Sequence, residues 1–197
     1  MLSHLQKISF ILASGSPRRI EFLDSLQLKF EIIKSNFAEK PPTNETPSQY
    51  AMENAYLKAM TVAEINKSKL VAGFDTIVEF NGKILGKPEN KRDAFSMLTL
   101  LSGKKHNVIT SYSLINLEKN FSVKKFVTTE VFFNSLENDD IEWYIETGEP
   151  FDKAGAYAIQ GIGSFMIKEI KGSFSNVVGL PLAEFIEDLK KYYKLLN

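Results

Sequence analysis

Residues 70–86, LVAGFDTIVEFNGKILG, carry the clearest structural pattern in the sequence. Leu70–Phe80 is rich in valine, isoleucine and phenylalanine, which predicts a strand apolar enough to lie at the centre of a sheet. Asn81-Gly82 is a typical two-residue hairpin turn, so Lys83–Gly86 is predicted to run back beside that strand. The segment therefore predicts a β-hairpin built on a buried strand.

Strand and helix patterns alternate on both sides of this hairpin. Upstream, Ile8–Ala13 and Phe30–Ser35 predict strands. Ser16-Pro17 begins a helix with an N-cap, and Thr46–Gln49 begins another with a capping box, each with proline at the first helical position. Downstream, helices are predicted after Asn90, at Asp139–Thr147 and after Pro181, and strands at His106–Leu117, Phe121–Asn134, Ala156–Gln160 and Phe165–Ile170. The sequence therefore predicts a mixed α/β fold, with no repeat, linker or clean domain boundary.

The composition excludes several classes of protein. Lysine and arginine number 24 and aspartate and glutamate 24, so no net charge attracts a nucleic acid or a membrane surface. The absence of cysteine excludes disulfides and thiolate chemistry, and with only two histidines a bound metal must be a hard cation held by carboxylates. The longest apolar run near the start, Ile8–Ala13, is too short to span a bilayer, so a cytoplasmic protein is expected.

Familiar nucleotide-binding signatures are incomplete. Gly82 and Gly86-Lys87 are spaced one residue too closely for a P-loop, and Pro88 stands where serine or threonine must hold magnesium. Gly161 and Gly163 match the first two glycines of a dinucleotide-binding fingerprint, but Met166 stands in the place of the third glycine. Serine-hydrolase and zinc-peptidase signatures are absent from the sequence as well.

The turn Ser14–Arg19, between a strand and a helix, is a candidate anion site. Free backbone amides and the positive end of the helix dipole favour an anion there. Arg18 and Arg19 lie in the first helical turn, where their positive charges are unfavourable beside the positive end of the dipole. A bound phosphate would make these charges favourable. The alternative is that both arginines point to water or to an acidic neighbour such as Glu21.

Two charged residues fall at positions predicted to be buried. Lys58 lies on or beside the inward stripe of its helix, which is predicted to comprise Ala51, Ala55, Ala59, Val62 and Ala63. Either Lys58 lies there for function, or its stem is covered and its ammonium reaches the surface. Asp75 interrupts the apolar strand, and a buried carboxylate needs a cation, a metal or several donors. Lys87 is a candidate partner because the hairpin register sets Thr76 opposite it, and a purely structural pair is the alternative.

Residues 153–161, KAGAYAIQG, combine small residues with the polar side chain of Gln160. Such a segment suits close approach to a flat ligand and recognition of a base edge by an amide. A tight turn between packed strands is the alternative.

In this order and spacing, these segments resemble the Maf family of nucleotide pyrophosphatases over nearly the whole chain. The matching motifs are Leu12–Arg19, Asn54–Ala59, Asp75–Val78, Gly82–Pro88, Leu101–Gly103 with His106–Val108, Lys153–Gly161, and Gly172 with Asn176–Pro181. Asp75-Thr76 and Ala156–Gly161 match the branch that acts on dTTP, UTP and related modified pyrimidine nucleotides. Phe74, where a small residue is usual, and Ser111, where glycine is usual, depart from the pattern.

The resemblance implies an enzyme that hydrolyses nucleoside triphosphates between the α- and β-phosphates, with a divalent cation, Mg²⁺ or Mn²⁺. It implies a single Maf-like domain over residues 1–197. The implied fold is a long mixed β-sheet flanked by helices, with two lobes around a central cleft, related to the inosine-triphosphatase architecture. Homodimers are common in such proteins, so a homodimer is an expectation for this chain, whereas nucleic-acid and membrane partners are not.

Candidate site residues follow from this chemistry, in which charge neutralisation is the main requirement. We expect Asp75, Lys58 and Lys87 to be catalytic, and Asp75 with Glu39 to bind the metal. Ser14, Ser16 and Arg19 are expected to bind the substrate phosphates, and the family resemblance implies that Arg18, Thr76 and Gln160 bind substrate as positions that set its choice. The alternative function is a non-enzymatic, nucleotide-sensing regulator of cell division, which the intact set of charged residues disfavours.

Overall fold

The computed structural model describes residues 2–197. The strands are β1 (Ser9–Leu12), β2 (Lys29–Ile32), β3 (Leu70–Phe80), β4 (Lys83–Leu85), β5 (Lys105–Asn116), β6 (Phe121–Phe133) and β7 (Ile167–Lys171). The α-helices are α1 (Pro17–Ser25), α2 (Pro47–Ala63), α3 (Lys91–Leu101), α4 (Asn138–Glu146), α5 (Phe174–Val178) and α6 (Leu182–Leu196). Short 3₁₀ turns lie at Leu2–Lys7, Glu149–Asp152, Ala154–Ala156 and Ile162–Met166.

The seven strands form one mixed sheet in the order β2-β1-β3-β5-β6-β7, with β4 also paired to β3. β1 runs parallel to β2 and β3, whereas β4 is antiparallel to β3 and β7 to β6. In the hairpin, Val78 lies opposite Leu85 and Phe80 opposite Lys83, which is the predicted register. The predicted mixed sheet flanked by helices is confirmed, and β3 lies at its centre as its apolar sequence indicates.

The chain divides into two compact units, each with its own apolar core. The first unit comprises residues up to 75, 110–127 and 179–197, and its main cluster includes Leu23, Phe74, Tyr112 and Phe185. The second unit comprises residues 76–109 and 128–178, and its core gathers side chains of α3, α4 and β6. Each core is built from residues at the spacing that the helix and strand patterns predict.

Helix α2 packs against β3 at very short range. Its N-terminus has the predicted capping box, in which Thr46 and Gln49 cap each other's backbone amides. The predicted stripe of small residues is fully covered by neighbouring atoms and comprises Ala51, Ala55, Ala59, Val62 and Ala63. A Cβ atom on Gly73 would lie 2.4 Å from the Ala55 carbonyl oxygen and 2.6 Å from the Ala59 nitrogen. The helix backbone therefore rests directly on the strand backbone at Gly73.

One predicted strand is wrong. Ala156–Gln160 is not extended, because Gly155 and Ala156 adopt left-handed backbone conformations with φ of 69° and 62°. The segment begins with a 3₁₀ turn and continues as an irregular loop. The next predicted strand, Phe165–Ile170, is confirmed with shifted ends as β7 (Ile167–Lys171). Within residues 2–197, no helix is both long enough and apolar enough to cross a bilayer.

Replacing Gly73 by alanine should loosen the contact between α2 and β3. The new methyl group would overlap backbone atoms of the helix, which cannot rotate away as a side chain can. We expect Gly73→Ala to lower the free energy of unfolding by about 1–3 kcal/mol, the usual cost of overpacking. Urea denaturation would measure it. The control is Gly86→Ala, because a Cβ at Gly86 meets nothing within 4 Å, and an equal loss in both variants would contradict the explanation.

Candidate active site

A buried carboxylate at the centre of β3 binds a lysine of α2. Asp75 is 5% exposed, and Lys58 Nζ donates to its Oδ1 at 2.6 Å. Asn54 Nδ2 lies 3.4 Å from the other carboxylate oxygen, Oδ2. Burial raises the pKa of Asp75, and the positive charge of Lys58 acts in the opposite direction. The cation paired with Asp75 is thus Lys58, whereas the sequence indicated Lys87 as a candidate.

The periodicities of α2 and β3 explain this pairing. Gly73 and Asp75 are two residues apart on a strand, so they share the face against which α2 packs. Asn54 and Lys58 are four residues apart on the helix, so both side chains lie on one side of it. Because Gly73 lets the helix backbone approach closely, side chains of ordinary length reach Asp75.

Lys58 binds a second carboxylate at the same time. Its Nζ lies 2.6 Å from Glu39 Oε1, and the Lys58 and Glu39 side chains are 18% and 47% exposed. One ammonium group therefore lies within hydrogen-bond distance of two carboxylates, one buried and one open to solvent. The structure brings Asp75, Lys58 and Glu39 together.

The loop that carries Glu39 is fastened to the start of α2. Tyr50 Oη donates to the Lys40 carbonyl oxygen at 3.0 Å. Farther along, the Glu45 carboxylate accepts hydrogen bonds from the amides of Thr43 and Asn44, and these bonds lower the pKa of Glu45. These attachments hold an irregular segment in one shape, so Glu39 remains near Lys58.

The turn before α1 is organised by Arg19. Its Nη1 donates to Ser14 Oγ at 2.9 Å and its Nε to the Gly179 carbonyl oxygen at 2.7 Å. Ser14 Oγ also accepts a bond from the Ser16 amide at 3.3 Å. Burial lowers the pKa of Arg19 to about 10, so the guanidinium is charged at neutral pH. The alternative in which both arginines point to water is wrong for Arg19, which binds protein groups.

Phe74, which departs from the family pattern, supports this arginine. Its side chain is fully buried against Tyr112 and Phe185, and the Arg19 guanidinium carbon lies 5.3 Å from the centre of its ring. At that distance a cation over an aromatic face is attracted to it. The large residue therefore adds a favourable contact to the arginine.

Of the remaining predicted residues, Arg18 lies beside Arg19 in α1 of the first unit, and the other three belong to the second unit. Thr76 follows Asp75 in β3 and therefore points to the opposite face. Lys87 is exposed just beyond β4, and Gln160 is partly buried in the irregular loop. A hydrogen bond of 2.9 Å from the Gly155 amide to the Gly86 carbonyl oxygen joins the segments that carry these two side chains.

Sequence reasoning missed two contributors to the site. Asn54 contacts Asp75, and its spacing of four residues from Lys58 was the pattern that could have revealed it. The Gly179 carbonyl oxygen, which accepts from Arg19, lies 160 residues away along the chain, and no local pattern indicates such a contact.

Comparison with known proteins places the chain in a family. The profile of Maf-like proteins matches residues 9–192. The chain belongs to the Maf family. A Maf relative from Syntrophus aciditrophicus (strain SB), named dTTP/UTP pyrophosphatase, is 45% identical over 91% of this chain and 88% of its own length. A protein of the same name from Clostridioides difficile (strain 630) is 44% identical over 95% of this chain and 97% of its own. The solved Ham1 protein of Staphylococcus aureus is similar with a TM-score of 0.46 and 16% identity, over 67% of this chain and 79% of that one.

Replacing Arg19 by lysine should destabilise this Maf protein although the charge is kept. A lysine cannot make both hydrogen bonds and also lie flat over the Phe74 ring. We expect Arg19→Lys to lower the free energy of unfolding by about 1–3 kcal/mol, the range for losing charged hydrogen bonds. Arg92→Lys, at an exposed position of α3, is the matched control and should change it by less than about 0.5 kcal/mol. Indistinguishable urea midpoints for the two variants would refute the anchoring role of Arg19.

Proposed function

We propose that this chain is a pyrophosphatase that hydrolyses dTTP, UTP and related modified pyrimidine nucleotides to the monophosphate and pyrophosphate. The cluster of Asp75, Lys58 and Glu39 is the observation that carries the proposal, because it sets a buried carboxylate and a cation side by side. Relatives named dTTP/UTP pyrophosphatase at 42–45% identity support this substrate class. Such an activity would serve to remove modified pyrimidine nucleotides from the cellular pool.

The reaction needs a nucleophile and neutralisation of the phosphate charge. In the proposed step, Asp75 takes a proton from a water molecule whose oxygen bonds to the α-phosphorus. The bond from that phosphorus to the bridging oxygen breaks, and its electron pair leaves with the pyrophosphate. The raised pKa of Asp75 makes it a stronger base than an exposed aspartate.

Positive side chains complete the proposed site. Lys58 is held between two carboxylates, and from that position its ammonium neutralises charge on the substrate phosphates. Arg18 and Lys87 neutralise further charge, since phosphoryl-transfer reactions gain mainly from positioning and electrostatics. The cations must be in place before the reaction for this to happen. Lys58 meets this requirement because it is carried by α2, whose position is fixed against β3.

The substrate-binding roles divide between the phosphates and the base. Ser14, Ser16 and the amides at the start of α1 hold phosphate oxygens. Arg19 contributes by fixing Ser14 and by its positive charge. Thr76 and Gln160, together with Arg18, set the choice of substrate, as the family resemblance implies.

The residues fit a divalent metal that enters with the nucleotide. Within residues 2–197 there is no group of three or more histidine, aspartate or glutamate side chains able to hold a metal ion. Mg²⁺ is commonly held by one or two carboxylates together with substrate phosphates, and Asp75 and Glu39 are such a pair. A bound Mg²⁺ or Mn²⁺ would neutralise charge on the phosphate oxygens.

Three further statements stay predictions. The match over residues 9–192 spans both compact units, which supports a single functional domain. A cytoplasmic location is expected from the sequence. A homodimer is expected from the family, and no nucleic-acid or membrane partner is expected.

Pyrophosphate release from a panel of nucleotides tests the function directly. With Mg²⁺ or Mn²⁺ we expect activity on dTTP and UTP, and little on CTP, GTP, ATP or 7-methyl-GTP. Asp75→Asn should reduce turnover by more than about 10³-fold, because it removes the base as well as a charge. Asp24→Asn, at an exposed position of α1, is the control and should keep full activity. Nucleotide binding without pyrophosphate release in the wild type would favour the sensor instead.

Replacing Lys58 by methionine separates its catalytic role from its effect on the metal. The variant keeps the buried stem but leaves Asp75 and Glu39 without their shared cation. We expect turnover to fall by about 10²–10³-fold, the scale for losing one preorganised charge. Binding of Mn²⁺ without nucleotide, measured by water proton relaxation, should become tighter because the ammonium no longer competes.

The control for this substitution is Lys69→Met, which breaks an exposed pair with Glu31. It should change neither turnover nor Mn²⁺ binding. Unchanged or weaker Mn²⁺ binding in Lys58→Met would show that the two carboxylates do not form the metal site.

A further inference from the structure

The loop that carries Gln160 has a backbone that its own sequence does not favour. Three residues within 153–163 are left-handed, namely Gly155, Ala156 and Gly161, with φ of 69°, 62° and 82°. Ala156 has a Cβ atom, for which this conformation is unfavourable. A backbone of this kind persists only where surrounding contacts hold it.

The beginning of the loop is attached to the hairpin. The Gly155 amide donates to the Gly86 carbonyl oxygen at 2.9 Å. A Cβ on Gly155 would lie 2.9 Å from a methyl carbon of Val78, so the loop backbone packs directly against this side chain of β3. This end is therefore fixed by one backbone hydrogen bond and one packing contact.

The far end of the loop is attached to a carboxylate. Glu149 accepts hydrogen bonds from the amides of Ile162 at 3.1 Å and Gly163 at 2.9 Å. The Tyr144 hydroxyl donates to the same carboxylate at 2.9 Å. Between these two ends, the Ala158 backbone is hydrogen-bonded to the Tyr144 hydroxyl, and one side chain of the loop itself makes a buried hydrogen bond.

That side chain is Tyr157, which is hydrogen-bonded to His106. Tyr157 Oη lies 2.7 Å from His106 Nε2, and the two residues are 5% and 2% exposed. Both rings meet Phe133 edge to face, with centres 4.7 and 4.9 Å away. His106 Nδ1 has no hydrogen-bond partner among the described residues. Within residues 2–197, the imidazole is therefore hydrogen-bonded through Nε2 to Tyr157.

We propose that Tyr157 and His106 are positioning residues for substrate selection, because their hydrogen bond holds the middle of the loop that presents Gln160. This inference rests on the proposed function, in which Gln160 recognises the base. Gln160 lies three residues beyond Tyr157, and neither end attachment involves either residue. Loss of the bond therefore loosens the position of Gln160 and leaves the Asp75 cluster intact. Losing this hydrogen bond therefore weakens the preference for one base over another, whereas kcat stays nearly constant.

The test compares two substitutions that each remove one buried tyrosine hydroxyl. Tyr157→Phe deletes the bond to His106, and Tyr192→Phe deletes a bond of 2.8 Å from Asn116. Both tyrosines are 5% exposed, so similar losses in Tm are expected. Tyr192 lies on α6 and is assigned no part in the reaction, so it controls for a purely structural effect.

The measured quantity is kcat/KM for dTTP divided by kcat/KM for CTP. We expect Tyr157→Phe to lower this ratio roughly threefold to tenfold, the scale of one neutral hydrogen bond. The change should come from a higher KM for dTTP, with kcat altered less than about twofold. Tyr192→Phe should leave the ratio unchanged.

A double-mutant cycle tests whether the pair acts as a unit. His106→Phe should lower the ratio by a similar factor, and the double variant should lower it no further, because one bond is lost only once. Additive effects, an unchanged ratio in Tyr157→Phe, or an equal change in Tyr192→Phe would overturn this inference alone. A wild-type protein without activity on dTTP and UTP would overturn the proposed function and the inference together.

Discussion

The close packing of α2 against β3 at Gly73 is the constraint on which the candidate site depends. With helix backbone atoms only 2.4 and 2.6 Å from where a Cβ would lie, the distance between the two elements has almost no freedom. Gly73 and Asp75 face the same helix, so this one contact also determines how far Lys58 and Asn54 must reach. A larger residue at Gly73 would displace the Lys58 cation as well as the helix that carries it.

The charged groups of the site are held by neighbours of opposite or neutral character before any substrate binds. Lys58 lies between Asp75 and Glu39, and Arg19 lies over Phe74 with its donors on Ser14 and Gly179. Charges fixed in this way need little reorganisation when a triphosphate arrives, which is the main source of catalysis in such reactions. The departure at Phe74 fits this arrangement, because the aromatic ring supports the buried guanidinium.

Local patterns in the sequence were sufficient for most of the framework. The hairpin register at Asn81-Gly82, the capping box at Thr46 and the buried alanine stripe of α2 were all predicted and are confirmed. Ala156–Gln160 was wrongly predicted to be a strand, because its apolar residues match a strand pattern while contacts with Val78 and Gly86 impose a left-handed turn. Those contacts come from residues about 70 positions away, which local propensity cannot represent.

The sequence by itself determined most of the elements, the family and the residue types that the chemistry needs. It marked Asp75 and Lys58 as charges at apolar positions, because helix and strand periodicity depends only on neighbours along the chain. Only the tertiary structure decided which cation lies on Asp75, what Arg19 binds and how Tyr157 is attached to His106. Those pairings depend on the distances between elements that are far apart in the chain, and packing sets these distances once the backbone has folded.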